Sequence, residues 1–147
     1  MSQQGQDFIK GYESLRLTAY DAHPGHGDMT IGYGHKIKKG ETFGTITKAD
    51  AEKLFAADVS QMAAHVSHDL KVSVTQNQFD ALVSLRFNAG PFAVTPPVSD
   101  LNSTGHATME DFTKHYVTAG GEFMQGLANR RAAEWNIFSR GIYDSSH

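Results

Sequence analysis

The chain has 147 residues, 39% of them hydrophobic and 20% charged, with a net charge of −3 when His is counted as neutral. That length suits one domain with a real core, and the composition is that of a globular chain rather than a disordered one. The absence of cysteine excludes disulfides, thiol catalysis and cysteine-ligated metal centres, and without a dense Lys/Arg run or an apolar run of bilayer length, a nucleic-acid face and membrane insertion are not expected. The polar start, Met1 to Asp7, lacks the basic and apolar segments of a secretory signal. A substrate outside the cytoplasm would then require another means of delivery, or a longer parent chain. Eight histidines would carry the net charge positive in mild acid.

In chain order, Phe8, Ile9 and Tyr12 stand at helical spacing and predict a short helix over Gln3 to Glu13. Leu15 to Tyr20 reads as a connector. Asp21 to Asp28, with Pro24, Gly25 and Gly27, reads as a loop. Met29 to Tyr33 is a strand, and Gly32 and Gly34 mark tight turning or close backbone approach. Lys36 to Thr45 is expected as another short strand or hairpin. Thr47 and Asp50 then form a capping-box start, and Phe55, Val59, Met62 and Val66 follow as an amphipathic stripe. That helix could bridge two lobes. Thr75 and Gln78 open a second capped helix with Phe79, Leu82, Val83 and Phe87 on its apolar face, stopped by Gly90-Pro91. Pro96-Pro97 breaks the chain again, Thr108 to Tyr116 predicts a short helix, and Gly120-Gly121 a turn. Phe123 to Phe138 predicts a last helix with Leu127, Trp135 and Phe138 on its buried side.

The chemistry concentrates in the first quarter. Glu13 ends the first helix, Asp21 and Asp28 flank the loop, and Thr30 opens the strand Thr-Ile-Gly-Tyr-Gly-His35. Two carboxylates and a hydroxyl beside close-approach backbone are the equipment of a glycosidase, which needs an acid still protonated near neutral pH and a second carboxylate across the bond. Each residue also has an ordinary reading. Glu13 could be a solvated helix end, either Asp an Asx-turn residue, and Thr30 a β-branched strand residue. His35 could pack, brace the hairpin or touch a ligand. A metal on His23, His26 and His35 with Asp21 or Asp28 matches no metal-ligand spacing, so no cofactor is expected.

The runs Glu13-x-Leu-Arg-Leu-x-Ala-Tyr20 and Thr30-Ile-Gly-Tyr-Gly-His35 resemble those of the phage-type lysozymes, the family 24 glycoside hydrolases. Two further blocks carry the same resemblance: Phe87-Asn88-Ala-Gly90 and Gly126-Leu-x-x-Arg130-Arg131-x-x-Glu134. The likeness runs from about Phe8 to Phe138 and is weakest over Val94 to Thr118. It implies an α+β lysozyme-like fold in which a sheet-bearing lobe of about residues 14–46 faces a mainly helical lobe (1–13 and 47–147) across a cleft. It also implies cleavage of the β-1,4 bond between N-acetylmuramic acid and N-acetylglucosamine in the glycan strands of bacterial peptidoglycan. Glu13 would be the general acid, and Asp21 and Thr30 would position the water. Asp21 lies one position from the family spacing, with Asp28 competing for the role. Gly32, Tyr33, His35 and Asn88 would meet the substrate, and Arg131 or Arg130 would hold Glu13. By the same resemblance the outcome is inversion, with carboxyl groups about 6.5–9.5 Å apart.

Two other functions stay open at this level: a peptidoglycan-binding module that kept the fold without catalysis, and a lytic transglycosylase using one Glu. The setting stays open too, between a phage endolysin released through a membrane lesion and a secreted antibacterial effector domain with a delivery or immunity partner. A monomer is expected.

Overall fold

The computed structural model describes residues 1–22, 24–25 and 27–147. Helix α1 (Gln3–Tyr12) starts where the Ser2 hydroxyl accepts from the Gly5 N–H at 3.1 Å and buries Phe8 and Ile9. It ends at Glu13, whose backbone turns extended (φ −95°, ψ 125°) while its N–H still reaches the Ile9 carbonyl.

The next segment forms a three-stranded antiparallel sheet in the order β1 (Arg16–Asp21), β2 (Met29–Gly32), β3 (His35–Lys36). Tyr20 pairs with Thr30 and Asp21 with Met29. The register then shifts before Arg16 meets Gly32. The expected connector over Leu15 to Tyr20 is therefore mostly strand. Its residues are nearly all exposed, so burial imposes no alternation on them. The ladder to β2, the Ile46 N–H on the Leu17 carbonyl at 2.9 Å and Arg16 over the Tyr20 ring at 4.7 Å hold it instead. The strand expected within Lys36 to Thr45 shrinks to Lys36 alone. Gly32 takes the left-handed region (φ 68°), and a Cβ there would touch Ala51 at 3.5 Å, so this glycine turns the strand against α2.

Helix α2 (Lys48–Asp69) opens on the reciprocal Thr47–Asp50 box and runs 22 residues, about 33 Å at 1.5 Å per residue. It buries Phe55, Val59 and Val66 and packs on both β2 and α3 (Gln76–Ala89), tying sheet to helices. Helix α3 carries its own Thr75–Gln78 box and also packs on α1. Its buried Asp80 collects the Ser2 N–H at 3.0 Å and the Tyr143 hydroxyl at 2.8 Å. Burial, reinforced by Asp80, pushes that phenol up to about 12.

Gly90 (φ 93°) ends α3, and a 3-10 turn (Pro91–Val94) leads into α4 (Thr95–Thr104). Pro96-Pro97 does not break the chain. It lies in the first turn of α4, where the missing N–H groups would have no helical partner and the fixed φ is already helical. Helix α5 (Met109–Thr113) follows its Thr108–Asp111 box. The Gly120-Gly121 turn closes a small hairpin, β4 (Thr118–Ala119) with β5 (Glu122–Phe123), so Phe123 is exposed strand, not helix. Helix α6 (Gln125–Arg140) completes the fold.

The face of α6 that meets α3 is not purely apolar. Arg130, Arg131 and Glu134 are buried there, the last two fully. Glu134 takes Arg131 Nε at 2.9 Å and Nη2 at 3.0 Å, Arg130 Nε at 3.4 Å, and the Ser84 hydroxyl of α3 at 2.9 Å. Arg131 Nη2 also donates to Asn88 Oδ1 at 2.6 Å. Burial presses the Arg131 guanidinium below its ordinary value, and Glu134 opposes it. Helical i, i+3 and i, i+4 spacing ordinarily predicts a surface pair. Here the pairs are interior.

Two consequences are measurable by urea denaturation. Glu134→Ala leaves two arginines buried without their shared anion and should cost about 3–5 kcal/mol. Gly32→Ala forces a side chain into the left-handed region and should cost about 1–2 kcal/mol, with no clash to add to it.

Candidate active site

A cleft of about 520 Å³ opens between the end of α1, the sheet, the end of α3, the β4 region and α6. Glu13 lies on its wall, its side chain 19% exposed. The extended backbone at the helix end carries this residue off the α1 spiral, and two neighbours then fix the carboxylate. Arg130 Nη1 donates to Oε1 at 3.1 Å. On the other side, Gly34 (φ 73°) comes so close that a methyl there would sit 2.9 Å from Oε2. Arg130 is itself stacked on the Tyr12 ring at 4.8 Å, so the pair is braced from behind. Arg130, not Arg131, therefore makes the ion pair with Glu13. Arg131 also lines the cleft, but its contacts go to Glu134 and Asn88.

Across from Glu13 the cleft is lined by Tyr20, Ala22, Asp28 and Thr30. Successive side chains on a strand point to opposite faces. Tyr20 and Ala22 both line the cleft, and the intervening Asp21 is not among its lining residues. Thr30 faces the cleft, so Met29 turns away and Asp28 returns to it. Of the two candidate aspartates, Asp28 is the one that lines the cleft with Glu13. Thr30 is buried to 6% exposure between its neighbours on β1 and β3. Burial, with the nearby Glu13 charge, pushes the Tyr20 phenol up, so it stays a hydrogen-bond donor over any ordinary pH range.

Asn88 lines the cleft at the end of α3, and Arg131 occupies its Oδ1, which leaves the amide NH₂ for a ligand. The other three expected substrate contacts lie elsewhere. Gly32 packs on Ala51. Tyr33 is buried, meets Phe55 edge-on and donates to Glu52 Oε1 at 3.2 Å. His35 is 4% exposed, and both ring nitrogens are taken, Nδ1 by Asp58 at 2.8 Å and Nε2 by Glu41 at 3.1 Å. It clamps β3 to α2. His23 and His26 of the metal reading lie outside the described residues, and among the described residues no three His, Cys, Asp or Glu side chains gather as a metal site.

Sequence reasoning missed Lys36, Tyr116, Thr118 and Gly120 as cleft residues. Gly34, which also lines the cleft, had a signal, as the second glycine of the Gly-x-Gly run. Tyr116, a non-glycine residue at φ 60°, had none.

The model of the phage lysozyme family matches residues 10–134. The chain is 41% identical to an endolysin of Bacillus phage PZA over 96% of its own length and 55% of that protein's. It spans 54–63% of the length of the first four curated relatives it matches. Among solved structures, the endolysin of Escherichia coli O157:H7 phage FAHEc1 superposes with a TM-score of 0.81 at 35% identity, covering 97% of this chain and 95% of that one. The muramidase domain of SpmX from Asticaccaulis excentricus superposes with a TM-score of 0.77 at 29% identity, covering 94% of this chain and 97% of that one. With the family model covering most of the chain, and Glu13, held by Arg130, sharing one cleft with Thr30, this α+β, lysozyme-like chain belongs to the phage lysozyme family.

Proposed function

We propose that this chain is a muramidase that hydrolyses the β-1,4 bond between N-acetylmuramic acid and N-acetylglucosamine in bacterial peptidoglycan. The observation that carries the reading is the Glu13 carboxyl, gripped by Arg130 and Gly34 on the wall of a cleft whose other side holds Asp28 and Thr30. Glu13 gives its proton to the glycosidic oxygen as the bond to the anomeric carbon breaks. Water attacks that carbon from the opposite face, and Asp28 takes the proton the water gives up. The Thr30 hydroxyl orients that water. Asn88 and Tyr20 donate hydrogen bonds to the sugars. Arg130, which pairs with the Glu13 carboxylate at rest, holds the group in place and stabilises the anion to which it returns once its proton has gone.

A water between the two carboxyl groups makes the reaction inverting. The chain acts as a monomer on the wall of a bacterial host during lysis, and the resemblance to endolysins is what supports that setting. A binding module would need no facing pair of carboxyl groups. A transglycosylase would need Glu13 but neither Asp28 nor water.

Mass spectrometry of fragments released from purified peptidoglycan checks the reading. The native chain should release muropeptides with reducing muramyl ends, and Glu13→Gln should lower the rate by about 10²–10⁴-fold without unfolding the protein. Anhydro-muramyl ends would instead mean transglycosylation, and no fragments at all would mean binding only. A paired comparison assigns the second carboxylate. Asp28→Asn should slow lysis by about tenfold to a hundredfold, whereas Asp21→Asn should stay within about threefold of the native rate.

A further inference from the structure

A second depression, of about 360 Å³, adjoins the cleft and shares Gly34, Lys36 and Phe87 with it. Its floor is apolar, with Met62, Phe87 and Pro91. Its charge is not neutral: Lys36, Lys38 and Arg86 line it against a single acid, Asp58, and that acid is already held by His35 at 2.8 Å. This is a cationic hollow in a chain whose net charge is −3.

Arg86 is the informative residue. Its Nε is buried and has no hydrogen-bond partner among the described residues, and its side chain enters no ion pair among them. A buried, unpaired guanidinium donor is costly unless something completes it. The other orphaned guanidinium nitrogens belong to Arg130 and Arg131, whose charges Glu13 and Glu134 already balance. Arg86 has no such acid. The guanidinium lines the hollow with no balancing acid among the described residues, a balance that a small anion attached to something continuing into the cleft would supply.

We propose that this hollow binds a carboxylate carried on the lactyl side chain of a muramyl residue while the glycan lies in the cleft. Arg86 receives the carboxylate, Lys36 and Lys38 supply the field, and the apolar floor covers the carbon atoms beside it. The inference rests on the muramidase reading for its substrate. Two sources carry this chemistry: the free lactyl carboxylate of a peptide-free muramyl sugar, and a carboxylate of the attached peptide stem.

The test records the ¹⁵N-labelled Arg86 Nε–H signal of the native chain during titration with three probes. These are N-acetylmuramic acid, N-acetylmuramyl-L-alanyl-D-glutamate and the uncharged N,N′-diacetylchitobiose. A saturable shift with either muramyl compound but not with chitobiose is the expected result; a shift with the first places the lactyl carboxylate in the hollow, and a shift with the second alone places the stem there. No shift with either, or an equal one with chitobiose, overturns the proposal. In lysis assays Arg86→Gln should raise KM about tenfold with kcat held, the loss of one charge-assisted contact. An unchanged KM would overturn it as well. Failure of the native chain to cut peptidoglycan would sink the muramidase reading, and the titration would still decide whether the hollow takes a carboxylate.

Discussion

The fold is organised around a charge it has had to bury. Arg130 and Arg131 stand side by side inside the contact between α6 and α3, and Glu134 alone cannot neutralise both. The fourth charge comes from a residue 117 positions away in sequence, Glu13. Only when α1 is docked does the cluster hold two cations and two anions. Isolated charges in a protein interior are expensive, and breaking such a group by removing one partner costs more than the whole is worth as a stabiliser. The arrangement therefore contributes uniqueness more than net stability: α1, α3 and α6 have one mutual placement that leaves neither Arg130 nor Arg131 without an acid. Ser84 and Asn88 extend the same constraint along α3, from its middle to its cleft end.

This clarifies why Glu13 is positioned so closely although it lies at a helix end. Its carboxylate completes the cluster through Oε1, while the close approach of Gly34 limits where Oε2 can go. A proton donor must sit at hydrogen-bond distance, about 2.6–3.2 Å, from its acceptor for transfer to be productive. The cluster supplies that placement from below, and the Thr30–Gly34 hairpin supplies it from above.

Much of this was legible in the sequence where a local rule decides. The Thr47 and Thr75 boxes start the helices they announce, Gly90 ends α3, and the stripe from Phe55 to Val66 faces the interior except at the half-buried Met62. Where two elements must meet, local rules were not enough. Spacing favoured Asp21, yet Asp28 is the one that lines the cleft with Glu13, and the β1–β2 register with its shift between Arg16 and Tyr20 cannot be read from composition. The resemblance alone set Tyr33 and His35 against the substrate, while packing or bracing was the other reading of His35; α2 covers both, with Glu52 and Asp58. The Arg–Glu spacing on α6 suggested a solvated face because solvation is the usual fate of that pattern, and nothing local signals that α3 will cover it. Strand β1 was hidden for the opposite reason: it buries too little to leave a periodic mark.

The grip on Glu13 comes from two bodies, and that has a mechanical meaning. Arg130 belongs to the helices and Gly34 to the sheet, so the carboxylate is a gauge of the distance between them. If the sheet swings outward to admit a polymer strand, Gly34 retreats and Oε2 gains room, while Oε1 stays tethered to α6. If it swings back, there is only one place for the acid to go. Under the proposed reaction, loading a long, stiff glycan and aiming the proton would become a single displacement, sensed through the missing methyl group of one glycine.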